Sequence, residues 1–181
     1  ETETIAQRLE LIHALDKADP ETALCGVAPE GDVGFITAGD NTMQLLDMAS
    51  SRVIAVLTFS ERITGASFYL YVTGDMTKRL LIVGLNRVGI ALVDIASARI
   101  VRRIKPATAT LTPTHFTQLE SFFNFHHPVA VGTLDLGVLV VDLAFIIAED
   151  HRDATLEELT DPEQLENYVV KDIHPFVAVH K

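Results

Sequence analysis

The chain has 181 residues, 48% hydrophobic and 22% charged, a globular composition for about one domain that excludes disordered and fibrous classes. Its 14 basic and 25 acidic side chains give a net charge of −11. Reading a phosphate backbone needs clustered Lys and Arg, so no direct nucleic-acid binding by this segment is expected. No uncharged apolar run reaches the roughly 18 residues of a membrane span, and Asp135 and Asp142 interrupt the hydrophobic stretch 134–147.

The sequence opens on Glu1 with no signal-peptide pattern, and it is expected to be a piece of a longer protein. Residues 4–17 place Ile5, Leu9, Ile12 and Leu15 on a helical period, with Thr4 and Gln7 spaced as a capping box. The same stretch also suits an outer strand of a preceding unit. The single cysteine, Cys25, excludes an internal disulfide and points to a reducing compartment. With no basic neighbour to activate it, Cys25 is expected to be a buried structural thiol. Gly31-Asp32-Val33-Gly34 precedes a strand, whereas phosphate-cradling glycine loops follow a strand and open a helix, so it reads as a hairpin.

From there the sequence repeats. Residues 35–52, 81–99 and 129–144 align, and each closes a strand on an aspartate. These aspartates, Asp47, Asp94 and Asp142, lie 47 and 48 residues apart, and Gly39, Gly84 and Gly132 keep steps of 45 and 48. Two units share Asp-x-Ala-Ser-x-Arg, from Asp47 to Arg52 and from Asp94 to Arg99. A period of roughly 40 to 50 residues with several short strands per unit is the pattern of β-propeller blades. Blades are therefore expected at about 33–59, 63–104 and 107–147, an all-β, WD40-like partial propeller of three to four blades filling 1–181.

Short runs ending at glycine, 33–38, 80–84 and 128–132, are expected to line the propeller axis. Runs 43–46, 89–93 and 137–141 follow, and Asp-Ala-Ser turns lead to 52–59 and 99–104. Strands at 63–72 and 107–111 are expected to start the second and third blades. Each repeated aspartate is expected to accept N–H bonds within its own turn. One carboxylate per unit, a blade apart, cannot converge on a cation that wants six to eight oxygens.

His126-His127-Pro128, with His115 upstream and Asp135 downstream, is the most tempting metal cluster. Adjacent histidines on a strand face opposite ways, so they read as turn and rim residues. Residues 121–127 form a loop holding Phe122, Phe123 and Phe125, either a buried strand or a docking anchor. A helical insertion is expected at about 153–170, where Thr155 with Glu158 and then Asp161-Pro162 give two helix starts. Its acidic face faces solvent or a basic partner, with Glu157, Glu158 and Glu163 the candidate partner-binding residues. Residues 176–179 read as a closing strand.

There is no Gly-x-Ser-x-Gly elbow, no phosphate loop and no ligand set for a metal or cofactor. A propeller enzyme would ring its tunnel with ionisable groups. The presumed inner strands offer Thr37, Asn86 and Thr133 and almost no carboxylates, so catalysis is not expected.

The absence of Trp and the lone closing Asp separate the repeat from regular WD40 units. The order of features resembles the amino-terminal propeller of ELYS-type nucleoporins. The resemblance rests on Ala38-Gly-Asp-Asn-Thr-Met-Gln-Leu-Leu-Asp47, Arg79-Leu-Leu-Ile-Val-Gly84, Val93-Asp94-Ile, Ile100-Val-Arg-Arg and the run from Val129 to Leu143, over roughly residues 24–150. That propeller has seven blades, so this chain would hold about half of one and would need further chain or a partner to close. The family's basic chromatin-binding tail is not present in this chain, and none of its functional residues carries over by motif. The resemblance implies a non-enzymatic scaffold at the nuclear envelope, contributing to the nuclear-pore outer ring through contacts with its subunits. The alternative is a cytoplasmic adaptor propeller of a membrane-trafficking or ubiquitin-ligase complex.

Overall fold

A computed structural model describes residues 23–106, 110–120 and 126–143, with the backbone of 154–155. Every regular element among them is a β-strand. The chain divides into two compact units, Glu1–Ile63 and Thr64–Lys181.

The first unit is one four-stranded antiparallel sheet in chain order: β1 (Cys25–Val27), β2 (Val33–Thr37), β3 (Thr42–Asp47) and β4 (Arg52–Thr58). Alternation turns Met43, Leu45 and Leu57 to the buried side. Thr37 accepts a bond from Leu24 N–H at 2.8 Å, tying the start of β1 to the end of β2. Cys25 is exposed, contrary to its expected burial. On β1, Gly26 pairs with Phe35, whose ring occupies the space a side chain at 26 would need. Cys25 and Val27 therefore turn to the other, open face.

The second unit holds two sheets. β5 (Ile63–Thr73), β6 (Met76–Leu85), β7 (Gly89–Asp94) and β8 (Arg99–Lys105) run in order, and β12 (Ala154–Thr155) adds parallel to β8. β9 (Pro113–Gln118), β10 (Pro128–Thr133) and β11 (Gly137–Asp142) make a three-stranded antiparallel sheet. Tyr69, Tyr71, Leu80, Ile82, Ile90, Leu92 and Ile104 of the larger sheet form one core with Val129, Val131 and Val141 of the smaller. Each such fully buried side chain contributes about 1.5–3 kcal/mol relative to exposure.

The repeat is visible in backbone detail. β4 skips Ile54 between its pairings to Leu45 and Leu46, and β8 skips Val101 between Leu92 and Val93. Both are bulges at equivalent places in the repeat. Ser51 and Ala98, also equivalent, both take a left-handed conformation, with φ of 55° and 51°. The Asp47 and Asp94 turns close as expected: Asp47 accepts from Ala49 and Ser50 N–H, and Asp94 from Ser97 N–H and its hydroxyl.

Two expectations need correction. The runs 33–38, 80–84 and 128–132 correspond to the second strands of their sheets, β2, β6 and β10; β1, β5 and β9 hold the edge position. In the second unit the sheets crowd on that edge side. A Cβ on Gly65 of β5 would overlap the Thr114 carbonyl, and one on Gly84 of β6 the Pro113 carbonyl. Next, the third sheet starts at Pro113, not within 107–111. Residues 107–109 lie outside the described residues, and Leu111 and Thr112 are buried but unpaired as strand. Thr112 bridges two sheets: its hydroxyl accepts from Arg87 N–H at 3.2 Å, and its carbonyl accepts from Leu134 N–H at 3.1 Å, one step beyond the Thr133↔Pro113 pair. The ladder then begins at Pro113, a position where proline is tolerated. Ala154–Thr155, at the start of the expected 153–170 insertion, are extended along β8, the backbone that an N-cap at Thr155 also takes. The remainder of that insertion, residues 4–17, 121–125 and 176–179 lie outside the described residues.

Candidate functional site

The described polar groups converge most where β11 ends. Asp142 is 3% exposed. One of its carboxylate oxygens accepts from His126 N–H and the other from His127 N–H, each at 2.9 Å. The Asp142 side chain thus clamps the turn before β10; its own turn, from residue 144 on, lies outside the described residues. Adjacent positions diverge, so His126 is exposed and His127 half-buried. The His127 ring lies 4.2 Å from the Tyr71 ring, centroid to centroid, and presents an edge to Tyr69 at 6.4 Å. Tyr69 and Tyr71, two apart on β5, face the same side, a signal present in the sequence that the reading missed.

Burial, with the charges of Asp142 and Tyr71 adding, pushes the Tyr69 phenol above its ordinary range. Its buried hydroxyl has no hydrogen-bond partner among the described residues. Burial lowers the His127 imidazole below the ordinary histidine range; the Asp142 carboxylate opposes this and His126 adds to it. Because the folded value is depressed, the unfolded chain takes up this proton first as pH falls. The stability from a neutral His127 is therefore full above pH of about 6.5 and is lost as pH drops through the lower folded value. Between pH 7.5 and 5 the wild-type melting temperature should fall more steeply than that of His127→Gln. Parallel slopes would remove His127 as the cause.

Chemically, this cluster is a latch. Both carboxylate oxygens are committed to backbone donors, and no hydroxyl or thiol nucleophile is bonded to His127 among the described residues. His115 is exposed and bonded to Thr114 Oγ1 at 3.0 Å, and Asp135 is exposed at the β10–β11 turn. The structure does not bring His115, His126 and Asp135 together, and no group of three metal-ligating side chains forms among the described residues. Glu157, Glu158 and Glu163 lie outside the described residues.

The other distinctive surface is apolar. On β4, Val53, Ile54 and Val56 are 45%, 48% and 58% exposed. The bulge at Ile54 breaks the alternation and leaves two consecutive apolar side chains in water. Leu134 and Leu136 project from the β10–β11 turn, which Thr133 braces by accepting from Leu136 N–H and donating to Gly137 O. Among the described residues no helix is long and apolar enough to cross a membrane.

No protein-family model matches the chain, and no curated protein matches it. Solved structures do match in fold. One is dihydro-heme d1 dehydrogenase NirN in complex with DHE, a propeller-like protein, with a TM-score of 0.52 and 10% sequence identity. The match covers 71% of this chain and 26% of that one, so this chain spans about a quarter of its neighbour's length. Sheet order, repeat and this likeness define an all-β fold of propeller-like, blade-type antiparallel sheets.

Proposed function

We propose that this chain is a non-enzymatic protein-interaction scaffold. The observation that supports it most is the run of exposed apolar side chains on β4, at an edge with no neighbouring strand among the described residues. Monomeric proteins rarely leave such a surface uncovered. The resemblance to ELYS-type propellers makes nuclear-pore outer-ring subunits the first partners to test and the nuclear envelope the first location. Coat or ubiquitin-ligase subunits are the alternative partners. The dehydrogenase activity of the structural neighbour is not part of this reading, since 10% identity carries fold alone.

Affinity purification of the native chain separates these partners: outer-ring subunits favour the first reading, coat or ligase subunits the second, and no stoichiometric protein refutes both. Glu157, Glu158 and Glu163 are the proposed steering charges. Reversing all three to Lys should slow association at low salt and leave the melting temperature unchanged, because exposed charges act at a range of about 8–10 Å. An unchanged association rate would leave them only a solubilising role.

A further inference from the structure

Building on the scaffold reading, we propose that the open edge of β4 docks an extended strand of another protein, apolar in its centre and carrying a Lys or Arg beside Glu61. That strand would become the fifth of the sheet, a mode of recognition in which main-chain hydrogen bonds supply affinity.

The hydrogen-bond phase of β4 identifies the docking groups. Phe59 N–H donates to Asn41 O at 2.9 Å, and the pairing of β3 with β4 continues from Thr42↔Thr58 to Leu45↔Ala55 without a slip. Bonded and non-bonded pairs alternate in an antiparallel ladder. Leu57 and Ala55 therefore spend their backbone groups on β3, while Val56 and Thr58 turn theirs to the open side. The same two side chains are exposed.

The equivalent strand of the second unit shows what an outer edge normally carries. β8 bears Arg99, Arg102, Arg103 and Lys105, the charged guard that keeps an edge from pairing. It is also covered beyond its bulge, where Ala154 and Thr155 run parallel to Ile104 and Lys105. One repeat earlier, the matching positions are Leu57 and Thr58. Between Arg52 and Glu61 β4 has no charge at all. The same architecture thus guards and covers one edge and leaves the other apolar.

Charge selects the occupant. A second copy would bring another −11 against the first, which opposes self-pairing. At the two ends of β4, Arg52 pairs in register with Asp47, and Arg62 lies 3.9 Å from Asp40. Glu61, exposed beside them, has no ionic partner among the described residues. A strand entering parallel, as β12 does on β8, places its C-terminal end near Glu61, and a basic residue there completes the match.

The probe is the synthetic peptide acetyl-Thr-Val-Thr-Ile-Thr-Val-Lys-amide, added to the full 181-residue chain. Amide hydrogen exchange is the readout. In the free chain the Val56 and Thr58 amides should exchange about tenfold faster than those of Ala55 and Leu57, and the peptide should slow them by about tenfold. Replacing the peptide's Lys by Glu should weaken this protection. Val56→Pro removes an outward N–H and spares the β3 ladder, so it should abolish protection of Thr58 with little change in melting temperature. Val56→Thr, which keeps the N–H, should retain it. Unchanged exchange at millimolar peptide, or equal protection in Val56→Pro, would overturn the proposal. Protection that rises with protein concentration alone would assign the edge to a second copy and overturn it too. Capture of a pore, coat or ligase partner undiminished by Val56→Pro would sink edge docking and leave the scaffold reading intact.

Discussion

Gly84→Ala should destabilise the chain by about 3 kcal/mol, near the upper end of overpacking costs, and lower its melting temperature by roughly 10 °C. The new Cβ would overlap the Pro113 carbonyl and stand 3.1 Å from Pro113 C and Cβ. Neither obstacle is the flexible end of a side chain, so the two sheets of the second unit would have to separate at this close approach. Gly132 supplies the control, because it occupies the matching place on β10. There a Cβ would meet His115 Cβ at 3.4 Å and His115 O at 3.9 Å, ordinary contact distances, and Gly132→Ala should cost less than about 1 kcal/mol. Thermal denaturation of the two variants side by side tests the contrast. Equal losses would mean that the approach of β6 to the start of β9 is not what Gly84 serves.

Asp142→Ala should cost about 3 kcal/mol, since it removes two charge-assisted hydrogen bonds and leaves the His126 and His127 N–H groups without their acceptor. Asp142→Asn retains one acceptor oxygen and should lose about half as much. Amide exchange at positions 126 and 127 gives an independent readout, and both should accelerate in the alanine variant while the centre of β7 stays protected. By contrast, the Asp47 carboxyl, held below its ordinary range first by the Ser50 N–H, sits on an exposed turn that remains wet when the side chain is removed. Asp47 is bonded within its own turn, whereas the described bonds of Asp142 reach back 15 and 16 residues.

That difference marks what the sequence could and could not show. The 47- and 48-residue steps and the two-residue alternation made the sheets legible, because both follow from side chains facing a core on one side of a strand. The Asp-x-Ala-Ser-x-Arg turns were legible for a related reason, since the carboxylate and its donors are sequence neighbours. Gly39, Gly84 and Gly132 looked alike and are not. Gly39 takes a φ of 93° in a turn, Gly84 meets the Pro113 backbone, and a Cβ on Gly132 would make only ordinary contact with His115. Close approach between strands far apart in sequence leaves no local trace. The same holds for Asp142, whose partners lie 15 and 16 residues upstream. The stretch around Leu111 has strand composition, yet the regular ladder starts at Pro113. On the surface, Val53, Ile54 and Val56 of β4 are exposed. The bulge at Ile54 that concentrates them was not read from the sequence.

Thr112 also bears on how the second unit comes apart. Stacked hairpins that touch only their neighbours tend to fray from the ends, each sheet melting nearly alone. Here one threonine serves as acceptor for the tips of two hairpins in different sheets, β6–β7 at Arg87 and β10–β11 at Leu134. Pulling either tip away displaces the residue that satisfies the other. Two repeats that already share one core are thereby tied at their hairpin tips as well, through a residue just ahead of β9.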